Sequence, residues 1–369
     1  VKNNTIIKEI FLLRSIACLS IVFLHAIEIG MESIKYEIGS FTYLVFDSIN
    51  VILYYGTPMF IFISELLIAY SYRKKNIPKH FLRKRFTFIF IPFLCMALFY
   101  SIPYASTFQD WAVKFFLNAF IGDFHGYFVL IIFQFYLLHL FFHHYLKRAK
   151  PSVIITVSFL LNAGYLAFFN MTEPYNILYS EYIWERFYWI PFLGWIFYFS
   201  LGYYCGLYYE RFIAGLKKYK AAVIAAPIVS TAFLLYVYHS EFLTVHSSKR
   251  IDMMLHTAAI GFFILYVTSY LKQIPNVVIY ISQYSFGIYL LHFFYLLLFD
   301  AIYGYYPGTL GVSYVFLLFF GSTTCSIISI YNLNHWKYGK YIVGKIGAGY
   351  KNKPNPSYTV AYEQKSLQS

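Results

Sequence analysis

The stretch Ile10–Ile29, IFLLRSIACLSIVFLHAIEI, decides the architecture. As a helix it is about 30 Å long, at 1.5 Å per residue, which matches the thickness of a bilayer's hydrocarbon core. It is too long for the apolar core of a signal peptide and carries no small-x-small cleavage site, so it reads as a first permanent membrane helix. Further apolar blocks follow at about 49–70, 86–105, 127–145, 152–169, 187–208, 221–239, 254–271, 277–299 and 309–331. The expected fold is all-α: a polytopic integral membrane helix bundle of about ten transmembrane helices. Residues 1–331 form the membrane domain, and 332–369 form a polar, basic cytoplasmic tail. A β-barrel would show alternating segments of about ten residues, and none is present.

Composition agrees. Apolar residues are 60% of the chain and charged residues 12%, against roughly 45–50% and about 25% in soluble domains. The net charge of +13 does not indicate a nucleic-acid partner, because the positive residues sort by loop. Lys2 and Lys8 precede the first block, the loop Arg73–Arg85 is RKKNIPKHFLRKR, and Lys147, Arg148 and Lys150 follow the fourth. Arg211, Lys217, Lys218 and Lys220 follow the sixth, Lys272 the eighth, and six lysines the tenth. The alternate loops carry the acids Glu32, Glu37, Asp110, Asp123, Glu173, Glu181, Glu185 and Glu241, with Lys35, Lys114, Arg186, Lys249 and Arg250 as exceptions. This is the positive-inside pattern, and it places both termini in the cytoplasm of a multi-pass plasma-membrane protein. The stretch Asp110–Gly126 is amphipathic and reads as an outer interfacial segment. The four cysteines all fall in apolar blocks and read as small apolar filler, with no spacing for a disulfide framework or a metal.

Ionisable groups inside apolar blocks mark function, because each is costly there. Arg14, His25 and Glu28 lie in the first block, Glu65 in the second, His256 in the eighth and His292 in the ninth. Arg14 and His25 are eleven residues apart, three turns plus about 20°, so they share a face and are separated by about 16 Å along the axis. Arg14 falls near the cytoplasmic interface and His25 deeper. Glu28, one turn beyond His25, is placed to hold the imidazole in one tautomer. The bland alternatives are a snorkelling Arg14 and a hydrogen-bonded core His25. Glu65 falls at the depth of Arg14, which points to a buried pair between them or to a protonated carboxyl. His256 reads more readily as packing. His139 and His143 have the i, i+4 spacing of some zinc sites, but no carboxylate adjoins them in sequence, and no metal is expected.

Several stretches resemble the bacterial membrane-bound acyltransferase-3 family, over roughly residues 8–345. LLRSIACLSIVFLHA (Leu12–Ala26) is similar to the family's Arg-x10-His signature, FLRKRFTFIFIP (Phe81–Pro92) to its basic entry to the third helix, and ISQYSFGIYLLH (Ile281–His292) to its Tyr-Ser-Phe-x-Ile-Tyr-Leu-x-His stretch. PMFIFISELLIAYSYRKK (Pro58–Lys75) resembles a family segment that ends Ser-Gly, with Glu65 in place of the glycine, and Gly126–Tyr127–Phe128 lacks a tryptophan common in the family. The Glu65 departure points toward the branch containing the intercellular-adhesin polysaccharide membrane protein. The resemblance implies transfer of an acyl group, most often acetyl from acetyl-CoA, to a hydroxyl of a cell-surface glycan. It makes His25 the catalytic base, helped by Glu28, and assigns Arg14 and Arg85 to the acyl-CoA donor. Glu65, Tyr289 and His292 are further candidates. Export of a surface polysaccharide, or a non-catalytic place in a glycan-synthesis complex, are the competing readings.

Overall fold

The computed structural model describes residues 8–34, 39–305 and 310–347. Lys2, Lys35, Glu37, and the tail lysines Lys351, Lys353 and Lys365 lie outside the described residues. Among the described residues there is no strand; the regular structure is all helical. The helices are α1 (Glu9–Ile34), α2 (Phe41–Leu53), α3 (Gly56–Tyr72), α4 (Phe81–Arg85) and α5 (Ile91–Phe99). They continue with α6 (Phe108–Phe116), α7 (Phe128–Arg148), α8 (Pro151–Met171), α9 (Ser180–Trp189) and α10 (Ile196–Leu207). The last are α11 (Tyr209–Lys218), α12 (Lys220–His239), α13 (Met253–Thr268), α14 (Asn276–Tyr303) and α15 (Ser313–His335).

Among the described residues, eight helical stretches are long and apolar enough to cross a membrane. The expected blocks 187–208 and 254–271 instead fall on the shorter apolar helices α10 and α13, Ile196–Leu207 and Met253–Thr268. The first of these is not one continuous helix. Ile190 still has helical dihedrals, but Pro191 has no N–H to continue the ladder and is extended (φ −64°, ψ 139°), so the chain leaves α9 there and re-enters at Ile196 through the short turn Phe192–Gly194. The remaining α10, about 18 Å long, is buried from Phe197 to Gly206. Gly202 and Gly206 press it against α3, where a Cβ on either would strike the carbonyl oxygens of Phe62 and Leu66. Small residues permit this close backbone approach, which substitutes van der Waals contact for a hydrophobic drive that lipid does not supply.

The helix α1 runs through the centre, packed by α14, α15, α3, α2 and α13. The second expected block, 49–70, is likewise two helices, because Pro58 has no N–H to donate to the Tyr54 carbonyl. The resulting break aims two tyrosines at α1: the Tyr54 hydroxyl donates to Glu28 Oε1 (3.0 Å), and the Tyr55 hydroxyl shares a 2.8 Å hydrogen bond with Ser20. The amphipathic stretch around 110–126 is α6 and a π turn. It opens with a reciprocal cap between Thr107 and Asp110 and leaves Phe108, Val113, Phe116 and Phe120 exposed.

The packed body also reaches past residue 331. Val343 is buried among residues of α14 and α15, Tyr341 stacks on Phe88 (6.0 Å), and Gly344 takes φ +82° beside Phe286. The basic exceptions of the loop 247–252 have a physical reason as well. Arg250 is fully buried against Asp252, with Nε–Oδ1 at 3.0 Å and Nη2–Oδ2 at 2.7 Å, and donates to the Leu243 and Val245 carbonyls. Lys249 is buried with its ammonium nitrogen 3.8 Å from the centre of the Trp189 ring and 5.1–5.6 Å from those of Tyr188, Tyr127 and Trp195. Burial first, and the charge of Arg186 second, hold the Lys249 amine well below its ordinary value.

Candidate active site

Two clusters sit at different depths along α1. At the basic end of the bundle, Arg14 is half-buried. Among the described residues it has no hydrogen-bond or ion-pair partner, and Tyr136 of α7 is its strongest electrostatic neighbour. Arg85 reaches the same ring from α4: its guanidinium carbon lies 4.8 Å from the Tyr136 ring centre and 3.5 Å from that of Phe81, and Nη1 donates to the Phe81 carbonyl (3.3 Å). Both guanidiniums therefore have Tyr136 as a neighbour, and no carboxylate is bonded to either. Planar forks left open in this way suit the phosphate oxygens of an incoming anion.

Glu65 does not pair with Arg14. It is buried at 1% exposure and meets the buried His139, Nδ1–Oε1 2.5 Å. The sequence offered no carboxylate for His139 because 74 residues separate the two; only the packing of α7 on α3 joins them. His143 stacks on His139 (5.0 Å) and takes the Tyr203 hydroxyl at 3.2 Å. Among the described residues no group of three His, Cys, Asp or Glu side chains is arranged to hold a metal ion.

Further along α1, His25 Nδ1 lies 2.9 Å from Glu28 Oε2. A carboxylate accepts, so Nδ1 carries the hydrogen and Nε2 keeps its lone pair: the tautomer a general base requires. Glu28 is fixed in turn by the Tyr54 hydroxyl (3.0 Å) and Asn50 Nδ2 (3.5 Å) on its other oxygen. The His25 side chain is 27% exposed, so the base is reachable. His292 lies parallel to it with ring centres 5.6 Å apart. His292 Nδ1 donates to the Ile288 carbonyl (2.9 Å), while its buried Nε2 has no partner.

His125 completes the group, 5.7 Å from the His292 ring, and its backbone carbonyl accepts from the Tyr289 hydroxyl (2.6 Å). Nothing in the sequence singled out His125, which follows α6 and a turn at Gly122 rather than sitting in an apolar block. His256 is apart from this cluster, with both nitrogens engaged by Ser230 (3.1 Å) and the Ile52 carbonyl (3.3 Å). It is a packing residue.

The central helix thus carries an imidazole paired with a carboxylate and, about three turns away, an arginine with no partner among the described residues. The family model described as "Acyltransferase domain" matches residues 7–331, and the chain belongs to that family of multi-pass membrane acyltransferases. Among its relatives is a Bacillus subtilis protein, 40% identical over 92% of this chain and 95% of its own length, which carries the name membrane-bound acyltransferase YfiQ. Others are poly-beta-1,6-N-acetyl-D-glucosamine export proteins by name. That of Staphylococcus aureus is 29% identical over 77% of this chain and 81% of its own, and that of Staphylococcus epidermidis is 30% identical over 77% and 79%. All these names are provisional ones. No solved structure matches the chain.

Proposed function

We propose that the protein moves an acyl group, acetyl in the simplest case, from a cytoplasmic acyl-CoA to a hydroxyl of an extracytoplasmic glycan. The observation that carries this reading is the His25–Glu28 pair on the same helix face as the partnerless Arg14. About 16 Å of helix separates the two positions, a distance that an extended pantetheine arm covers. Arg14 and Arg85 hold the donor's phosphates at the cytoplasmic mouth, and the thioester reaches toward His25. His25 Nε2 takes the acceptor's proton as its oxygen bonds to the acyl carbon. The C–S bond then breaks, and the thiolate takes the proton back from the imidazolium. Glu28 stabilises that transient cation, and general-base help of this kind is worth about 10²–10⁴-fold.

The staphylococcal relatives' names give a second reading, export of the polymer itself. His25→Ala separates them when both the amount and the O-acylation of surface glycan are measured. Normal amount with acylation lost supports transfer. Polymer retained inside the cell supports export, and an unchanged outcome in both refutes any role for His25.

A further inference from the structure

Above the His25–Glu28 pair lies a second polar cluster that the transfer step leaves unused. The Tyr238 hydroxyl donates to Asp47 Oδ2 (2.8 Å) and also contacts His246, whose Nε2 is 3.4 Å from Asp47 Oδ1. Ser48 bonds His239 Nε2 at 2.9 Å. The cluster joins α2, α12 and the loop after α12, with the His246 side chain 39% exposed and that of Asp47 14%. It is continuous with the active site: the Tyr54 ring that meets His246 edge-on at 6.3 Å is the one whose hydroxyl binds Glu28.

Its chemistry is that of a sugar site, a carboxylate and imidazoles able to engage neighbouring hydroxyls beside aromatic faces. Its charge narrows the choice. At this end of the bundle Glu32, Glu173, Glu181 and Glu241 are exposed. The described cations are already engaged: Lys114 with Asp123 (2.6 Å), Arg186 with Glu185 (3.1 Å), Arg250 with Asp252, and Lys249 inside its aromatic box. A surface with surplus carboxylates and engaged cations concentrates cationic ligands and repels anionic ones.

We propose that Asp47, Tyr238 and His246 form an acceptor subsite for a sugar bearing a protonated amine, and that this subsite discriminates against phosphate- or carboxylate-bearing glycans. The proposal rests on the acyl-transfer reading and names the acceptor class of that site. Asp47 supplies the charge, with Tyr238 on one of its oxygens and His246 near the other, and its side chain keeps 14% exposure.

The test uses the full chain in detergent with radiolabelled acetyl-CoA and three probes: a glucosamine tetramer, its N-acetylated twin and tetragalacturonate. Base-labile label counts ester product. The expected order of KM is amine-bearing lowest and galacturonate highest. Asp47→Asn raises KM for the glucosamine tetramer about fivefold, the size of one charge pair near water, and shifts that of the N-acetylated twin by less than about twofold. Asp47→Glu restores the preference, and added salt erodes it. Equal use of tetragalacturonate, or unchanged KM values in both Asp47→Asn and His246→Gln, overturns the subsite, as does failure to acylate any of the probes. His25→Ala run alongside separates the levels: if it transfers acyl groups as the unaltered protein does, the transfer reading itself falls.

Discussion

Replacing Glu28 by glutamine removes one charge and almost nothing else, so its effect isolates what that charge contributes to the transition state. The amide keeps an oxygen to accept from His25 Nδ1 and leaves the tautomer intact. Its NH2 then faces the Tyr54 hydroxyl, which can accept, and Asn50, whose amide turns over to present its unpartnered Oδ1; both side chains now donate to Glu28 Oε1, at 3.0 and 3.5 Å. What is lost is attraction between a carboxylate and the imidazolium formed when His25 takes the acceptor's proton. Charge centres about 4 Å apart interact by ~4 kcal/mol at an effective dielectric of about 20 and ~1 kcal/mol in water. The Glu28 side chain is 39% exposed, so solvent screening discounts the upper figure and about 1–3 kcal/mol is expected. That range corresponds to a fall in kcat/KM of about 5–150-fold. Acetyl-CoA consumption by purified protein with a saturating acceptor measures it, and binding of acetyl-CoA alone reports whether the fold is kept. Activity within a factor of two of the parent, with donor binding intact, would refute the view that Glu28 supports a cationic His25.

Arg14→Lys keeps the charge and removes the planar fork, so KM for acyl-CoA is expected to rise about tenfold or more in donor-titration kinetics, and an unchanged KM rules out bidentate phosphate contact. Glu65→Ala leaves His139 buried without its partner and is expected to cost about 1–3 kcal/mol; thermal melting in detergent should show a drop, smaller for Glu65→Gln, which retains an acceptor. Lys249 gives a pH test. Its folded value is depressed by burial and by Arg186, so between that value and about 10.4 the unfolded chain binds the extra proton. Stability therefore rises with pH across that window and is lost as pH falls. Melting temperatures of Lys249→Met taken over the same range should lack this rise, and an identical slope in both proteins contradicts the assignment.

Much of the candidate site's layout was legible along α1, because helical periodicity is local: Arg14, His25 and Glu28 fall on one side of one helix whatever surrounds it. The role of Glu65 was not, since a carboxylate chooses among cations brought by other helices, and α7 delivered His139 rather than α1 delivering Arg14. His125 was invisible for the same reason. It lies outside any apolar block, and the turn before α7 carries it to within stacking distance of Phe293 and edge-on to His292.

Hydropathy by itself determined that this chain is a polytopic helical membrane protein, because backbone polar groups in lipid must be satisfied within each segment and length is then dictated by bilayer thickness. It also placed each block, while overstating the continuity of two of them. Only the tertiary structure decided where helices break and which side chains meet. Pro58 and Pro191 interrupt apolar runs that no hydropathy average registers, and the first break is what puts Tyr54 on Glu28. The second leaves α10 short, and it is buried against α3 because its glycines allow the backbones to touch. Local periodicity fixes the face a residue occupies; the partner it finds there depends on packing between helices far apart in the chain.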